Sequence, residues 1–273
     1  MNSKIKNRDY GSIIFFISEA LFLTNGFREI LDISLNDAII SSLIGAIIST
    51  ILLLVIPIKR ISKIDILFII PVFIYFIYLI YSQNTYIKNK YLLNTSSILI
   101  IFFSLLPVLL VVKSGIKTIS KISYILFIIT VIEIIFIVFN LFFKIDFNNI
   151  KPILNTSYKN ILLGSFKYVL YFITPSLLLL KTNLNVKKEL IVFSSFSNII
   201  IIIIFFLLIS IFGIDLSRIF LYPSYSLMKK INYFHFIEHV ENILTTNSIF
   251  SLFLSEAISL NYIKDVISYF FYN

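Results

Sequence analysis

Long apolar stretches without charged residues are the feature that most constrains this chain. The longest, residues 190–214, runs for 25 residues, and three others, at 38–58, 66–87 and 91–112, run for 21, 22 and 22. A transmembrane helix needs roughly 20 such residues. Only 14% of the 273 residues are charged, against about a quarter in soluble domains. The sequence therefore predicts an all-α, polytopic membrane protein, with a single membrane domain over residues 1–273.

Four further segments are long enough to span a bilayer but contain one charged residue each, namely Glu19, Glu133, Lys167 and Glu256. One charge at the centre of a helix costs on the order of 3 kcal/mol, which the surrounding Ile, Leu and Phe residues outweigh. We therefore predict about eight transmembrane helices and one amphipathic connection, at residues 214–241. The predicted spans are residues 11–27, 38–58, 66–84, 95–112, 122–143, 161–180, 190–213 and 242–260.

Basic residues predict the orientation of the chain in the bilayer. Clusters of three occur at residues 4–8, 59–63, 113–121 and 181–188, and all four fall on the same side of the predicted spans. Lys and Arg are enriched on the cytoplasmic side of membrane proteins, so both termini are predicted to be cytoplasmic. The net charge of +9 is spread thinly between apolar runs. We therefore expect the lipid bilayer, and no nucleic acid, as the partner of these charges.

Residue patterns typical of enzymes and metal sites are missing from the sequence. The six glycines form no phosphate-binding loop or dinucleotide motif, and a chain without cysteine has no disulfide, iron–sulfur cluster or thiolate metal site. His235 and His239 have the spacing of a metal-binding pair, but a metal would need a third ligand. We therefore favour an interfacial amphipathic helix there, and expect no enzymatic activity, metal or cofactor.

Charged residues inside a bilayer usually face the interior of the helix bundle or a water-filled cavity. Glu133 lies halfway along its predicted span, where it can least easily reach the surface. Glu19 lies about eight residues into the first span, and Lys167 about six residues into the sixth. A structural ion pair is an equally good explanation for each of them. For Glu256, near the inner end of the last span, we favour that structural role.

Small residues recur every four positions on one face of the second predicted span, at Ser41, Gly45 and Ser49. Small residues at this spacing allow two helix backbones to approach closely in lipid. The pattern predicts a helix-packing surface.

Several segments, in order along the chain, resemble the endospore germination permease family. Residues 111–123 (VVKSGIKTISKIS) are similar to the family's short link between spans four and five, and residues 149–154 (NIKPIL) to the segment after span five. Residues 221–224 (LYPS) and 236–241 (FIEHVE) are similar to the family pattern before span eight, and residues 37–41 (DAIIS) to the opening of span two.

The resemblance implies a LeuT-like fold within the amino acid–polyamine–organocation superfamily, with two inverted five-helix repeats. Ligands of such proteins bind mid-membrane, between the broken first helices of the two repeats. Those helices correspond here to spans one and six, and each carries a charge. The resemblance thus favours substrate binding by Glu19, Glu133, Lys167 and Tyr171. Family members usually have ten spans, so eight imply an incomplete second repeat.

The function implied by the resemblance is that of the permease-like B subunit of a spore nutrient-germinant receptor. Such a subunit senses a small nutrient, such as an amino acid, in the spore inner membrane and triggers germination. Its implied partners are a larger membrane-anchored A subunit and a lipoprotein C subunit. Two alternatives stay open: an amino-acid/cation symporter and a truncated, non-functional copy. A symporter should keep unwound, glycine-bearing first and sixth spans, and this sequence lacks the glycines.

Overall fold

The chain folds into long helices joined by short connections, in a computed structural model that describes residues 6–56, 61–181, 185–231 and 245–272. These residues form helices and no strand. Short 3-10 turns cover Leu35–Asp37, Lys63–Phe68 and Phe147–Ile150. The longer elements are α1 (Asn7–Gly11), α2 (Ile13–Leu21), a π-helical segment (Phe22–Gly26), α3 (Phe27–Ser34), α4 (Ala38–Val55), α5 (Ile69–Lys90), α6 (Ser97–Ser114), α7 (Ile116–Phe142), α8 (Tyr158–Leu179), α9 (Lys187–Ile219), α10 (Pro223–Met228) and α11 (Thr246–Tyr272).

Six helical runs within the described residues are long and apolar enough to cross a membrane. One of them, Asn7–Val55, contains the first predicted span and most of the second. Helix α11 occupies most of the last predicted span but is not among the six, because its serines and its charged residues lower its hydropathy. The prediction of an all-α, multi-pass membrane protein is confirmed. The division into eight spans within a single domain stays a prediction.

Helix α2 lies at the centre of the fold. Its residues from Ile13 to Ala20 are all buried. The helix is therefore enclosed on all sides, as is typical of a helix in a core. It packs against α7, α8, α9 and α11. Helices α6 and α7, in contrast, expose large apolar side chains such as Phe103 and Ile132. Exposed apolar surface on this scale is suited to lipid or to another membrane protein.

The small residues of α4 pack closely against α8, as predicted. A Cβ atom on Gly45 would lie 2.7 Å from the Tyr168 ring, and one on Gly164 would lie 2.0 Å from Ser34 Oγ. The Ser41 hydroxyl lies 2.8 Å from that same Ser34 oxygen. Side chains of ordinary size would push the two backbones apart. This contact fixes α8 beside the N-terminal helices.

The helices depart from regular α geometry at two places that matter for the site. The π-helical segment joins α2 to α3, and Gly213, at φ +70°, kinks α9. In contrast, α8 continues without a break through Leu170 and Tyr171. The predicted amphipathic connection at residues 214–241 contains the end of α9 and the short helix α10. His235 and His239, for which we favoured an amphipathic helix over a metal pair, lie outside the described residues.

Candidate functional site

A small cavity lies between α2, the π-helical segment, α3, α7, α9, α10 and α11. We call it the Glu19–Glu133 cavity, after the two carboxylates that line it. Its volume is about 40 Å³, enough for about three water molecules. Most of its wall is apolar, with isoleucine, leucine and phenylalanine side chains. Its polar lining is Glu19, Glu133, Ser224, Asn247 and Ser248.

Glu19 lies in the last turn of α2, the central helix, and its side chain lines the cavity. The residue is only 4% exposed. Its Oε1 atom has no hydrogen-bond partner among the described residues, although the Ser251 hydroxyl of α11 is a neighbour of the carboxylate. No basic side chain in the described ranges forms an ion pair with it. A buried carboxylate without a counter-charge is costly and often marks a functional site.

Glu133 enters the same cavity from the middle of α7 and is half-buried. One helical turn earlier, the Thr130 hydroxyl donates a hydrogen bond of 2.5 Å to the Asn247 side-chain oxygen. This bond joins α7 to the beginning of α11 and fixes one polar wall. Like Glu19, Glu133 forms no ion pair with the described residues. The cavity therefore combines two carboxylates with no resident cation among the side chains described.

The π-helical segment shapes the wall next to Glu19. A π turn takes one more residue per hydrogen bond than an α turn, and such turns are frequent at functional sites. Phe22 and Leu23 of this segment line the cavity. The segment is held to α5 because the Tyr78 hydroxyl donates to Thr24 Oγ1 at 3.2 Å and accepts from Asn25 Nδ2 at 3.0 Å. The first predicted span thus changes from α-helical to π-helical geometry at this segment, although its sequence lacks a glycine-rich break.

Lys167 and Tyr171 lie on α8 and are not part of the cavity lining. Lys167 Nζ is 3.2 Å from Glu29 Oε2, with both side chains about two-fifths exposed, and it lies 5.9 Å from the centre of the Tyr171 ring. The structure thus brings together two of the four predicted site residues and places the other two in a separate ion-paired cluster. Substrate binding by any of the four stays a prediction.

Sequence reasoning did not predict that Ser224 lines the cavity or that Glu256 is buried without a partner in the described chain. Ser224, directly after Pro223 at the beginning of α10, lines the cavity, so the LYPS segment that carries the resemblance forms part of its wall. Glu256 is fully buried at 0% exposure and neither carboxylate oxygen has a hydrogen-bond partner in the described chain. The structural ion pair that we favoured for Glu256 is not found among the described residues. Its position near the predicted membrane surface concealed this burial.

Fold and cavity together define a class: a multi-pass helical membrane protein with an internal cavity lined by carboxylates. Comparison with known proteins gives the family, since a model described as spore germination protein matches residues 87–272. The match covers more than half of the chain, and the chain belongs to this family, which has a permease-like role in germination. The matched range includes Glu133, Lys167, Tyr171 and Glu256. No curated protein and no solved structure matches the chain.

Proposed function

We propose that this protein is the permease-like subunit of a nutrient-germinant receptor in the spore inner membrane, and that the Glu19–Glu133 cavity senses the nutrient. The observation that carries the proposal is that two carboxylates line one internal cavity and form no ion pair within the described residues. The larger A subunit and the lipoprotein C subunit would be its partners. The exposed apolar faces of α6 and α7 offer surface for a membrane-embedded partner.

The chemistry of the cavity supports a small ligand with a positively charged amino group, such as an amino acid. Ammonium groups form strong charge-assisted hydrogen bonds with carboxylates. The apolar walls suit the remainder of a small molecule. The cavity is small, with a volume of about 40 Å³, and we propose that the surrounding helices separate when a nutrient binds. A ligand that binds only the open form shifts the protein toward that form, which is the property a sensor needs.

Thermal-shift measurements on the purified protein in detergent, with a panel of amino acids, test the proposal. A ligand that binds the folded state raises the melting temperature as its concentration rises. We expect at least one amino acid to do so, and Glu133→Gln to need at least about tenfold more of it for the same shift. The matched control is Asp215→Asn, which removes an exposed carboxylate of α9 outside the cavity. An unchanged concentration dependence in Glu133→Gln, or no shift with any amino acid, would contradict the proposal.

The symporter alternative predicts a different result in proteoliposomes. Alternating access uses helices that are unwound at the ligand site, but α8 stays helical from Tyr158 to Leu179, even through Pro175. We therefore expect no concentrative uptake of amino acids under a sodium or proton gradient. Accumulation of even one amino acid well above that of empty liposomes would favour the symporter over the sensor.

A further inference from the structure

Glu256 marks a second buried acidic site, separate from the Glu19–Glu133 cavity. It lies on α11, which packs against α2 and α5, and it is not among the cavity-lining residues. Both of its carboxylate oxygens are buried without a hydrogen-bond partner in the described chain, and the same holds for the Tyr75 hydroxyl of α5. Tyr75 is close enough to Glu256 to interact with it electrostatically.

No cation faces Glu256 from the described parts of the neighbouring elements. The titratable side chains on these elements are Glu19 on α2, six on α5 (Tyr75, Tyr78, Tyr81, Tyr86, Lys88 and Lys90) and four on α7 (Lys117, Lys121, Tyr124 and Glu133). Tyr75 interacts electrostatically with Glu256, whereas the four lysines lie near the ends of their helices. The basic residues nearest the inner end of α11 are otherwise engaged: Lys181 Nζ is 2.9 Å from Asp65 Oδ1, and Lys264 Nζ donates to the Val112 carbonyl at 3.3 Å. Lys264 is more than two helical turns from Glu256 along α11.

An ionised carboxylate in these surroundings would be strongly disfavoured, since neither water nor a counter-charge compensates its charge. A bound metal ion would need more oxygen ligands than are free here, because hard cations such as Ca²⁺ take six or more. One proton, in contrast, needs only one of the two carboxylate oxygens. A neutral carboxylic acid therefore accounts for Glu256 with the fewest additional groups.

We propose that Glu256 is a proton-binding site that holds its proton within the interface of α2, α5 and α11. The proton leaves when the interface opens and water reaches the carboxylate, because only then does the ionised form become solvated. Separation of α11 from α5 is thereby linked to proton release, and a higher pH favours the open form. The proposal does not depend on a nutrient, and its test is made without one.

Infrared spectroscopy of the purified protein at neutral pH tests the proposal directly. A protonated carboxylic acid has a carbonyl band that is separate from the bands of carboxylates and amides. We expect the spectrum of the wild-type protein minus that of Glu256→Gln to contain such a band, because Glu19 and Glu133 are common to both proteins and cancel from the difference. Asp215→Asn should retain the band, since Asp215 is an exposed carboxylate on a different helix, α9. A band that is unchanged in Glu256→Gln would overturn the proposal.

The pH dependence of thermal stability gives a second readout. The melting temperature of the wild-type protein should fall as the pH rises above about 4.3, the usual pKa of glutamate in an unfolded chain, since unfolding then releases a proton that the folded protein holds. Glu256→Gln keeps a neutral side chain of the same size, so the variant should fold and the fall should become smaller. Failure of this variant to fold, or a melting temperature that rises with Na⁺ or K⁺ at fixed pH only when Glu256 is present, would contradict a proton site.

Discussion

Two ion pairs in this protein have the same chemistry but differ in burial. Lys181 Nζ lies 2.9 Å from Asp65 Oδ1, and the side chains are 21% and 3% exposed. The Tyr262 hydroxyl donates to the same carboxylate oxygen at 3.0 Å. Lys167 and Glu29 lie 3.2 Å apart but are 38% and 40% exposed. The first pair joins the turn before α5 to the connection after α8, and the second joins α3 to α8 with far less protein around it.

This difference predicts unequal costs when each lysine loses its charge. Lys181→Met leaves the buried Asp65 carboxylate without its cation and should lower the free energy of unfolding by about 3 kcal/mol. Lys167→Met removes a pair that the protein encloses far less, so its cost should be smaller. Denaturant unfolding of both variants in the same detergent measures the two costs. Equal costs, or a larger cost for Lys167→Met, would contradict the difference that burial implies.

The sequence predicts only some of the residues that carry a buried charge. Glu19 and Glu133 are found because each interrupts a long apolar run, and both line the cavity. The pairing of Lys181 with Asp65 could not be predicted, since the two residues are far apart in sequence and both flank predicted spans. Glu256 shows the converse: its position near the end of its predicted span favoured a structural ion pair, but packing of α11 against α2 and α5 buries it without such a pair among the described residues.

At the scale of helices, positions follow from hydropathy because a buried or lipid-facing helix needs an apolar sequence of sufficient length. The small residues of α4 likewise predict close packing from their spacing alone. The π-helical segment at Phe22–Gly26 has no such signature. Its geometry depends on contacts from other elements, among them the Tyr78 hydroxyl of α5 and the Tyr171 ring beside Gly26. Local sequence does not encode these contacts.

The predicted orientation places each connection between helices on one side of the membrane. Because the chain contains no cysteine, single introduced cysteines test this placement. Ser62 and Ser114 lie at connections predicted to be cytoplasmic, and Asn94 and Asn155 at connections predicted to face outward; all four are exposed. Cysteines at Asn94 and Asn155 should react with a membrane-impermeant thiol reagent applied to intact cells. Cysteines at Ser62 and Ser114 should react only after the membrane is permeabilised. The opposite pattern would reverse the orientation.

At the scale of the whole molecule, the candidate site is an assembly of distant segments. Glu19 comes from the second helix, Glu133 from the middle of the chain, and Ser224 and Asn247 from its last third. Central placement of α2 makes this possible, because α7, α9 and α11 all pack around it. The sequence and its resemblance to germination permeases indicated the class of protein and both carboxylates that line the cavity. They did not indicate which helices surround the cavity, since that depends on tertiary packing.

The most direct test of the nutrient-sensing role is germination of spores that carry Glu133→Gln in place of the wild-type gene. Loss of one charge-assisted hydrogen bond costs about 1.5–3 kcal/mol, so the nutrient concentration for half-maximal germination should rise at least about tenfold. Spores with Asp215→Asn, and the response of all strains to a nutrient-independent trigger, should match wild type. A normal nutrient response in Glu133→Gln spores, with the protein present at wild-type level, would contradict the assignment of the cavity as the nutrient site.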